Sequence, residues 1–294
     1  MADSNRAIKA LKKLDFLVVI DPFLNKTAKM ADIILPAATS FEKTQLNRAS
    51  IRTNIITLQN QVIECVGNSW PDWKITFELA KKLGMDKEFP WDNAEDAINY
   101  QLEPSGITVE KLRENPKGIL IKQTEYKKYK INGFATLTGK VEIYSKKLEQ
   151  HKYSPVPSFG EYGENFISFY NKKHKFPLVG INGARSSNFT HTQFRNIPCL
   201  LKGEPECFVD IHPYDAKIKG IKTGDKVMVA TPKGFIIMKA VISDVVYQGS
   251  IRIAWGWGEV DSDYSLNNLT DDKKRDKVTG TPSSRNFMCN IEKF

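Results

Sequence analysis

The sequence lacks any apolar run near the ~18 residues that a membrane-spanning helix requires. Its N-terminal stretch has basic residues but no apolar segment followed by a small-residue cleavage site, so no signal peptide is predicted. We therefore expect no direct membrane span. As written, the chain is expected in the cytoplasm; an export signal on a separate N-terminal part would change that expectation to the periplasm.

Cysteine and histidine are also scarce, with four of each in 294 residues. The cysteines form no C-x-x-C pair, which is typical of reduced core thiols. The histidines never fall at metal-ligand spacing. We predict no metal site built from this chain's own side chains.

Acidic residues are in deficit, 34 against 43 basic residues, which gives a net charge of +9. Much of the excess lies in scattered lysine pairs such as Lys12–Lys13 and Lys127–Lys128, and aromatic residues do not interleave with them. A surface that binds nucleic acid by stacking would need such aromatics. The pattern favours a solvated surface, and no nucleic-acid partner is predicted.

The N-terminal part of the chain has the pattern of an α/β region. "DFLVVI" (residues 15–20) is a continuous apolar run, typical of a strand buried on both faces of a parallel sheet. A short helix near Thr27 and a second strand at "IIL" would follow. "WPDWKITFELAKKLG" (residues 70–84) predicts a helix capped by Asp72. Further elements are predicted at "DNAEDAINYQL" and "TVEKLRENP" as helices and at "TGKVEIYS" as an alternating strand.

The C-terminal part has the pattern of a β-barrel. A Pro- and Gly-dense linker around residues 154–163 precedes it, and one helical turn, "HPYDAKIKG", interrupts it. "TPKG" predicts a hairpin. Six strands at this spacing predict a closed barrel rather than an open sheet. The strands are "FPLVGI", "CFVDI", "DKVMVAT", "GFIIMKAVI", "GSIRIAW" and "NFMCNIEKF".

The α/β region has too few strands for a complete sheet. "DFLVVI" needs neighbours on both edges and cover on both faces, yet residues 1–90 offer few other strands. We infer a fragment, or a subunit completed by another chain. Residues 1–90 are therefore expected either to lie against another chain or to expose apolar surface.

A loop rich in hydrogen-bond donors follows the first barrel strand. "GINGARSSNFTHTQFRN" (residues 180–196) holds two arginines, a histidine and several hydroxyls, with little apolar content. Gly180 and Gly183 would let backbone approach a ligand closely, because they lack a Cβ atom. Two interpretations stay open, a solvated loop and a site for something polar and anionic.

Two separated blocks resemble the molybdopterin-dinucleotide oxidoreductases of the dimethyl sulfoxide reductase family. The first is "LDFLVVIDPFLNKTAKMADIILPAATSFEK" (residues 14–43). The second contains, in the family's order, "GARSSNFTHTQFRNIP", "IHPYDAKIKGIKTGDKVMVATPKG", "NNLT" and "DKVTGTPSSRNFMCNI". The "WPDW" helix and "HTQFRNIP" most resemble the branch of thiosulfate and polysulfide reductases and acetylene hydratase.

The resemblance implies a fold class and a domain order. The fold would be an α/β partial doubly wound domain followed by a mainly β, six-stranded, double-psi-like barrel domain. Residues 1–90 would end an α/β dinucleotide-binding domain, and residues 91–160 would form a helical connection and linker. Residues 161–294 would form the molybdopterin dinucleotide-binding β-barrel.

The resemblance also implies a cofactor, molybdopterin guanine dinucleotide with Mo or W in the complete enzyme. A [4Fe–4S] cluster and the metal ligand would lie only in a missing N-terminal part, so no catalytic residue is named. His191 is either a pterin contact or a residue that structures the loop. The implied cofactor-binding residues are Asp21, Thr27, Gly183, Arg185, Ser186, His191, Thr192, Gln193, Asn267 and Arg285.

The sequence departs from the family pattern at a few positions. Lys277 and Thr279 replace the usual proline and serine, changes that the backbone turn should survive. Trp255 stands where members of the branch often have histidine, and the favoured interpretation of Trp255 and Trp257 is packing at the barrel edge. Arg195 could form an ordinary ion pair.

The predicted function is that of the C-terminal cofactor-binding part of a molybdenum or tungsten oxidoreductase. It would support two-electron or oxo-transfer chemistry on a small substrate such as a sulfur oxyanion, and would be inactive alone. Its partners would be the N-terminal catalytic half or subunit and, in a respiratory assembly, an iron–sulfur electron-transfer subunit. The alternative is a stand-alone, non-catalytic cofactor-binding or interaction subunit.

Overall fold

The computed structural model describes residues 3–48, 54–157, 175–182, 186–258, 265–273, 275–282 and 284–294. The chain forms two compact units. The first, here the α/β unit, is Phe16–Glu142, and the second, the barrel unit, combines Met1–Asp15 with Ile143–Phe294. The domain boundaries drawn from the sequence stay a prediction.

The elements follow one another along the chain as short helices and strands. The helices are α1 Ser4–Leu11, α2 Asp72–Lys82, α3 Ala94–Leu102, α4 Val109–Glu114, α5 Tyr129–Asn132, α6 Lys146–Gln150, α7 Pro198–Leu201 and α8 Pro213–Ile218. The strands are β1 Val18–Asp21, β2 Ile33–Pro36, β3 Gln45–Arg48, β4 Ile55–Gln59, β5 Ile119–Leu120, β6 Leu178–Ile181, β7 Phe208–Ile211, β8 Lys226–Thr231, β9 Gly234–Ile242, β10 Ser250–Ile253 and β11 Asn286–Lys293.

The strand predicted at "DFLVVI" belongs to a small sheet. It is β1, which pairs in parallel with β2 in a two-stranded sheet. Its apolar side chains are largely exposed, with 60% of Phe16 and 48% of Ile20 accessible. A parallel strand is normally buried on both faces. The expectation of exposed apolar surface in this segment is therefore confirmed.

The rest of the α/β unit is built on the antiparallel sheet β3-β4-β5. Helices α3 and α4 bury Ile98, Leu102 and Leu112 in the core beside this sheet. Asn93 accepts a hydrogen bond from the Asp96 amide and so caps α3. These two predicted helices are confirmed.

Two local predictions in the α/β unit are wrong. Asp72 does not cap α2, because Pro71 is the N-cap residue and Asp72 pairs instead with Lys43. "TGKVEIYS" forms no strand over residues 138–145. Val141 and Ile143 alternate with polar residues, yet both are exposed and no neighbouring strand pairs with them in the part of the chain described.

A buried carboxylate, Glu42, links several loops of the α/β unit. It accepts hydrogen bonds from the Thr39 hydroxyl at 2.5 Å, the Val66 amide at 2.7 Å and the Ser69 hydroxyl at 3.0 Å. The Thr39 hydroxyl, followed by the Val66 and Thr39 amides, lowers the pKa of Glu42 to about 2. The ionised form is thus the one that the fold stabilises.

We expect Glu42 to make the unit sensitive to acid. Its pKa lies below the ordinary value of 4.5, so its contribution to the unfolding free energy is complete above pH 4.5 and is lost as the pH falls toward about 2. In Glu42→Gln, the stability deficit should be largest near pH 7 and shrink with acid. Urea unfolding at several pH values measures this, with the exposed Glu88→Gln as control. A deficit independent of pH would contradict it.

The barrel unit contains a closed six-stranded barrel with the strand order β10-β6-β11-β8-β9-β7. All six predicted strands are confirmed. The predicted hairpin is also present, since Thr231 of β8 pairs with Gly234 of β9 across the two residues Pro232 and Lys233. Parallel and antiparallel pairs are mixed, with β6–β10 and β7–β9 parallel.

The barrel encloses the largest hydrophobic core of the described residues. Val209, Ile251 and Ile291 are fully buried there, as expected for alternate residues of barrel strands. Burying each side chain of this size stabilises the fold by about 1.5–3 kcal/mol. Cys207 and Cys289 belong to the same core, and burial raises the pKa of each thiol to about 12.

Helix α1 packs on the barrel through charged groups. The Arg6 guanidinium lies 2.7 Å from Asp272, and Lys233 lies 3.0 Å from Asp271 and 3.7 Å from Asp3. The hydrogen bond from Arg6 holds the pKa of Asp272 below its usual range. The carboxylates of Asp3, Asp271 and Asp272 lie close enough together to share an ion, but Arg6, Lys233 and Arg275, which lies 3.2 Å from Asp272, already offset their charge. The cluster is an ion-pair network that joins α1 to the barrel.

Candidate functional site

One end of the barrel gathers the polar segments singled out from the sequence. Strands β6 and β10 are parallel, so the chain leaves both at the same end. Strand β11 is antiparallel to β6 and begins there, with Asn286 opposite Ile181. We name the segments at this end the donor loop (residues 186–197), the Trp loop (residues 254–258) and the Asn turn (residues 265–270).

The Asn turn is fixed to the same end by a buried hydrogen bond. The hydroxyl of Thr231, the last residue of β8, donates to the Leu269 carbonyl at 2.9 Å. Leu269 and Thr270 are buried, while Asn267 on the 3-10 turn Leu266–Asn268 is half-buried. The buried Leu269 and Thr270 thus anchor the turn, and Asn267 beside them stays partly accessible.

The donor loop contains a turn with unusual backbone. The Gln193 amide donates to the Thr190 carbonyl at 2.9 Å, and both His191 and Phe194 have a positive φ, of 57° and 71°. Left-handed backbone at a non-glycine residue costs on the order of 1–2 kcal/mol. His191 and Gln193 are exposed and Thr192 is half-buried. The turn therefore exposes polar side chains to solvent, and its left-handed backbone at His191 and Phe194 costs conformational free energy.

Arg195 has the opposite position, inside the loop. Its guanidinium lies between the rings of Phe189 and Trp257, 4.2 Å and 4.0 Å from their centroids. It donates to the Trp255 carbonyl at 2.5 Å and lies 3.7 Å from the Glu204 carboxylate. The ion pair is thus present, but it is buried, since only 8% of the Arg195 side chain is exposed.

The two tryptophans contact the donor loop. Trp255 meets the His191 ring edge-on at a centroid distance of 4.4 Å. Trp257 packs against Phe189 and donates from Nε1 to Glu204 at 3.2 Å. Packing thus accounts for both rings, and His191 structures the loop whether or not it also meets a ligand.

Asn182, which directly follows β6, is hydrogen-bonded to the residues just before β11. The buried side-chain amide of Asn182 donates to the Ser284 carbonyl at 2.6 Å. The backbone amide of the same residue donates to the Arg285 carbonyl at 3.0 Å. The Arg285 side chain is exposed. Sequence reasoning missed Asn182; the signal was an amide residue directly after a buried strand.

Gly180 does not serve ligand approach. A Cβ atom there would lie 2.3 Å from the Phe287 ring of the paired strand β11. The glycine therefore makes room for barrel packing, and the interpretation of Gly180 as an opening toward a ligand is wrong. Gly183 and Arg185 lie outside the described residues.

The turn around Gly280 is formed despite its departures from the family pattern. The Gly280 amide donates to the Asp276 carbonyl at 2.9 Å, and Thr279 donates to the Asp276 carboxylate through its amide at 2.6 Å and its hydroxyl at 2.9 Å. Gly280 has a φ of 69°, which glycine adopts without strain. The expectation that this backbone turn survives is confirmed.

Asp21 and Thr27 lie in the α/β unit. Asp21 ends β1, and its two carboxylate oxygens accept from the Phe23 amide and the Asn25 side chain, each at 2.8 Å. Thr27 is exposed and precedes the 3-10 turn Ala28–Met30. Each carboxylate oxygen can accept a further bond. A role for both residues in ligand binding stays a prediction.

Comparison with known families decides what the barrel end belongs to. Residues 180–288 match the "Molydopterin dinucleotide binding domain" family model, and residues 1–82 match the "Molybdopterin oxidoreductase" model. The chain belongs to the molybdopterin oxidoreductase family. The first match contains the donor loop, the Trp loop and the Asn turn. The expected family and the expected barrel are both confirmed.

Individual relatives support the same conclusion. Acetylene hydratase of Syntrophotalea acetylenica is 28% identical over 87% of this chain and 35% of the relative. Dimethyl sulfoxide/trimethylamine N-oxide reductase of Rhodobacter capsulatus is 27% identical over 99% and 39%. The solved structure of acetylene hydratase from Pelobacter acetylenicus superposes with a TM-score of 0.81 at 25% identity, over 99% of this chain and 42% of that one.

The chain therefore spans about two fifths of the length of these relatives. None of its described helices is long and apolar enough to cross a membrane.

The groups at the barrel end fit a molybdopterin dinucleotide in their chemistry. A pyranopterin presents hydrogen-bonding edges, and the dinucleotide adds a pyrophosphate. The exposed His191, Gln193 and Arg285 offer N–H donors, while Arg195 and Asn182 are used internally. These residues can bind and orient a ligand. We identify no nucleophile or general base paired for catalysis among the described residues at this end.

Proposed function

We propose that this chain is the cofactor-binding part of a molybdenum or tungsten oxidoreductase. It would bind molybdopterin guanine dinucleotide at the barrel end and support two-electron or oxo-transfer chemistry on a small substrate, with sulfur oxyanions as one class. The observation that carries the proposal is the gathering of the donor loop, the Asn turn and Arg285 at one barrel end, within the residues that match a dinucleotide-binding domain.

Each segment has a distinct role in this proposal. Ser186, His191, Thr192 and Gln193 hydrogen-bond the pterin edges or the pyrophosphate, and Asn267 faces the pterin. Arg185 and Arg285 pair with phosphate, for which a guanidinium fork is suited. Asp21 and Thr27 contact the guanine end, and Gly183 lets backbone approach. When bound, the cofactor supplies the redox or oxo-transfer chemistry, and this chain holds and orients it.

A partner polypeptide completes the enzyme in this proposal. The exposed apolar side chains around β1, including Phe16, Val18 and Ile20, support it, because such a patch marks an interaction site. The partner would carry the catalytic metal ligand and any [4Fe–4S] cluster, and an iron–sulfur subunit would exchange electrons with it. This chain alone would be inactive.

The proposal predicts the cofactor content of the assembled protein. The chain is co-expressed with the polypeptide encoded beside it and purified through a tag on one of them. We expect the two to co-purify, with molybdenum or tungsten by mass spectrometry and pterin by fluorescence after oxidation. An assembly that contains neither metal nor pterin would contradict the proposed function.

The same experiment distinguishes the alternative, a stand-alone cofactor-binding subunit. The closed barrel favours this alternative, because it leaves no edge strand that another chain must cover. Pterin retained by the chain expressed alone would support it. Pterin retained only with the partner would support the divided enzyme.

A further inference from the structure

We propose that the Trp loop is a spacer that fixes the donor loop and the Asn turn relative to each other. Arg195 holds the Trp loop against the donor loop. The two segments would then bind a ligand as one unit. The link between this spacer and cofactor binding rests on the proposed function. The spacer itself is inferred from a set of contacts within the barrel unit.

Two glycines of the Trp loop make backbone contacts in two directions. A Cβ atom on Gly256 would lie 1.9 Å from the carbonyl oxygen of His191 in the donor loop. A Cβ atom on Gly258 would lie 2.6 Å from the backbone of Ser265 in the Asn turn. No side chain fits at either position, because real Cβ contacts are never this short. The Trp loop therefore contacts the donor loop on one side and the Asn turn on the other, with no space between the backbones.

Arg195 stabilises the contact between Gly256 and the His191 carbonyl. Its Nη2 donates to the Trp255 carbonyl, and its Nε lies 3.4 Å from the same His191 carbonyl that meets Gly256. Trp257, the residue between the two glycines, covers one face of the guanidinium. A lysine could not reproduce this fork and stacked plane. Arg195 is therefore a positioning residue for His191, Thr192 and Gln193.

The spacer makes a specific mechanical prediction. If the Trp loop were only packing, disturbing its contact with the donor loop would loosen the donor loop alone. If it is a spacer, the disturbance travels through Gly258 to Ser265 and loosens the Asn turn as well. Local opening of this kind is measured by amide hydrogen exchange.

The test compares two alanine variants in the full chain. Gly256→Ala and Gly249→Ala both replace glycines with positive φ, of 87° and 80°, but a Cβ atom on Gly249 meets nothing within 4 Å. The backbone strain is matched and only the contact differs. In Gly256→Ala, we expect hydrogen exchange to rise about tenfold in both the donor loop and the Asn turn. In Gly249→Ala, neither segment should change. A rise confined to the donor loop would overturn the spacer.

Milder variants keep the test decisive if Gly256→Ala does not fold. Arg195→Lys keeps the charge but loses the fork, and Trp257→Phe keeps an aromatic face but loses the bond to Glu204. Each is expected to raise exchange in both segments, by less than Gly256→Ala would in a folded protein. An unchanged Asn turn in both variants would overturn the spacer.

Pterin content of the co-purified assembly tests the link to the cofactor. We expect Arg195→Lys to lower pterin content several-fold while Gly249→Ala retains it. Coupled exchange with unchanged pterin would overturn the role of the spacer in cofactor binding. A wild-type assembly without pterin would instead count against the proposed function, and the exchange data would still decide whether the spacer exists.

Discussion

Alanine in place of Asn267 is expected to weaken the retention of the proposed molybdopterin cofactor by about 10- to 100-fold. Loss of one partner of a buried hydrogen bond costs about 1–3 kcal/mol, and each 1.4 kcal/mol is a factor of ten. The Asn267 amide is available for this role because Leu269 and Thr270 anchor the turn from below. The measurement is pterin content of the assembled protein after extensive dialysis.

Asn268→Ala is the matched control for this prediction. Asn268 lies next in the same 3-10 turn and is equally half-buried, and in "NNLT" it is the second residue, which the family pattern Asn-x-Leu-Thr leaves variable. Its replacement is expected to leave pterin retention within about twofold of the wild type, a difference of less than 0.5 kcal/mol. Equal losses in both variants would indicate that the turn as a whole is disturbed, and would argue against a contact made by Asn267.

Alanine in place of Ile291 is expected to destabilise the barrel unit by about 2–5 kcal/mol. The side chain is fully buried among the residues of the barrel core, and its truncation leaves a cavity that β-strands cannot close. Hydrogen exchange of the barrel-strand amides at increasing urea measures the change in this unit, because tryptophan fluorescence would also report the three tryptophans of the α/β unit.

Ile218→Ala is the control for the core variant. Ile218 ends α8 in the same unit, and 68% of it is exposed. The same chemical change there is expected to cost less than about 0.5 kcal/mol. A cost for Ile291→Ala no larger than that of the control would mean that the barrel core does not set the stability of this unit.

The barrel could be predicted from the sequence because its signals are local. Each of the six strands is a short β-rich run, and turns with Gly or Pro separate them. Pro232 and Lys233 form the two-residue hairpin loop that this spacing indicates. The strand predicted from the alternation of Val141 and Ile143 with polar residues did not form, because a strand also needs a neighbouring strand, and periodicity does not report one.

The donor loop shows where prediction from sequence ends. Its residue types predict a polar site, and the structure leaves His191 and Gln193 exposed as that interpretation requires. Nothing in the sequence distinguishes them from Arg195, which is buried between two rings from different segments. The direction of a side chain is set by tertiary packing. The alternation of glycine in "AWGWG" was the available signal for the close contacts of the Trp loop.

The fold of the barrel protects two of its thiols from chemical modification. A thiol reacts as its thiolate, and Cys207 and Cys289 stay protonated at neutral pH because burial raises each pKa to about 12. Cys199 is exposed and open to reagents. The chain therefore contains both an exposed thiol and a protected pair of thiols. Modification of the protected pair requires the barrel to open, so the rate of alkylation reports how readily the barrel opens.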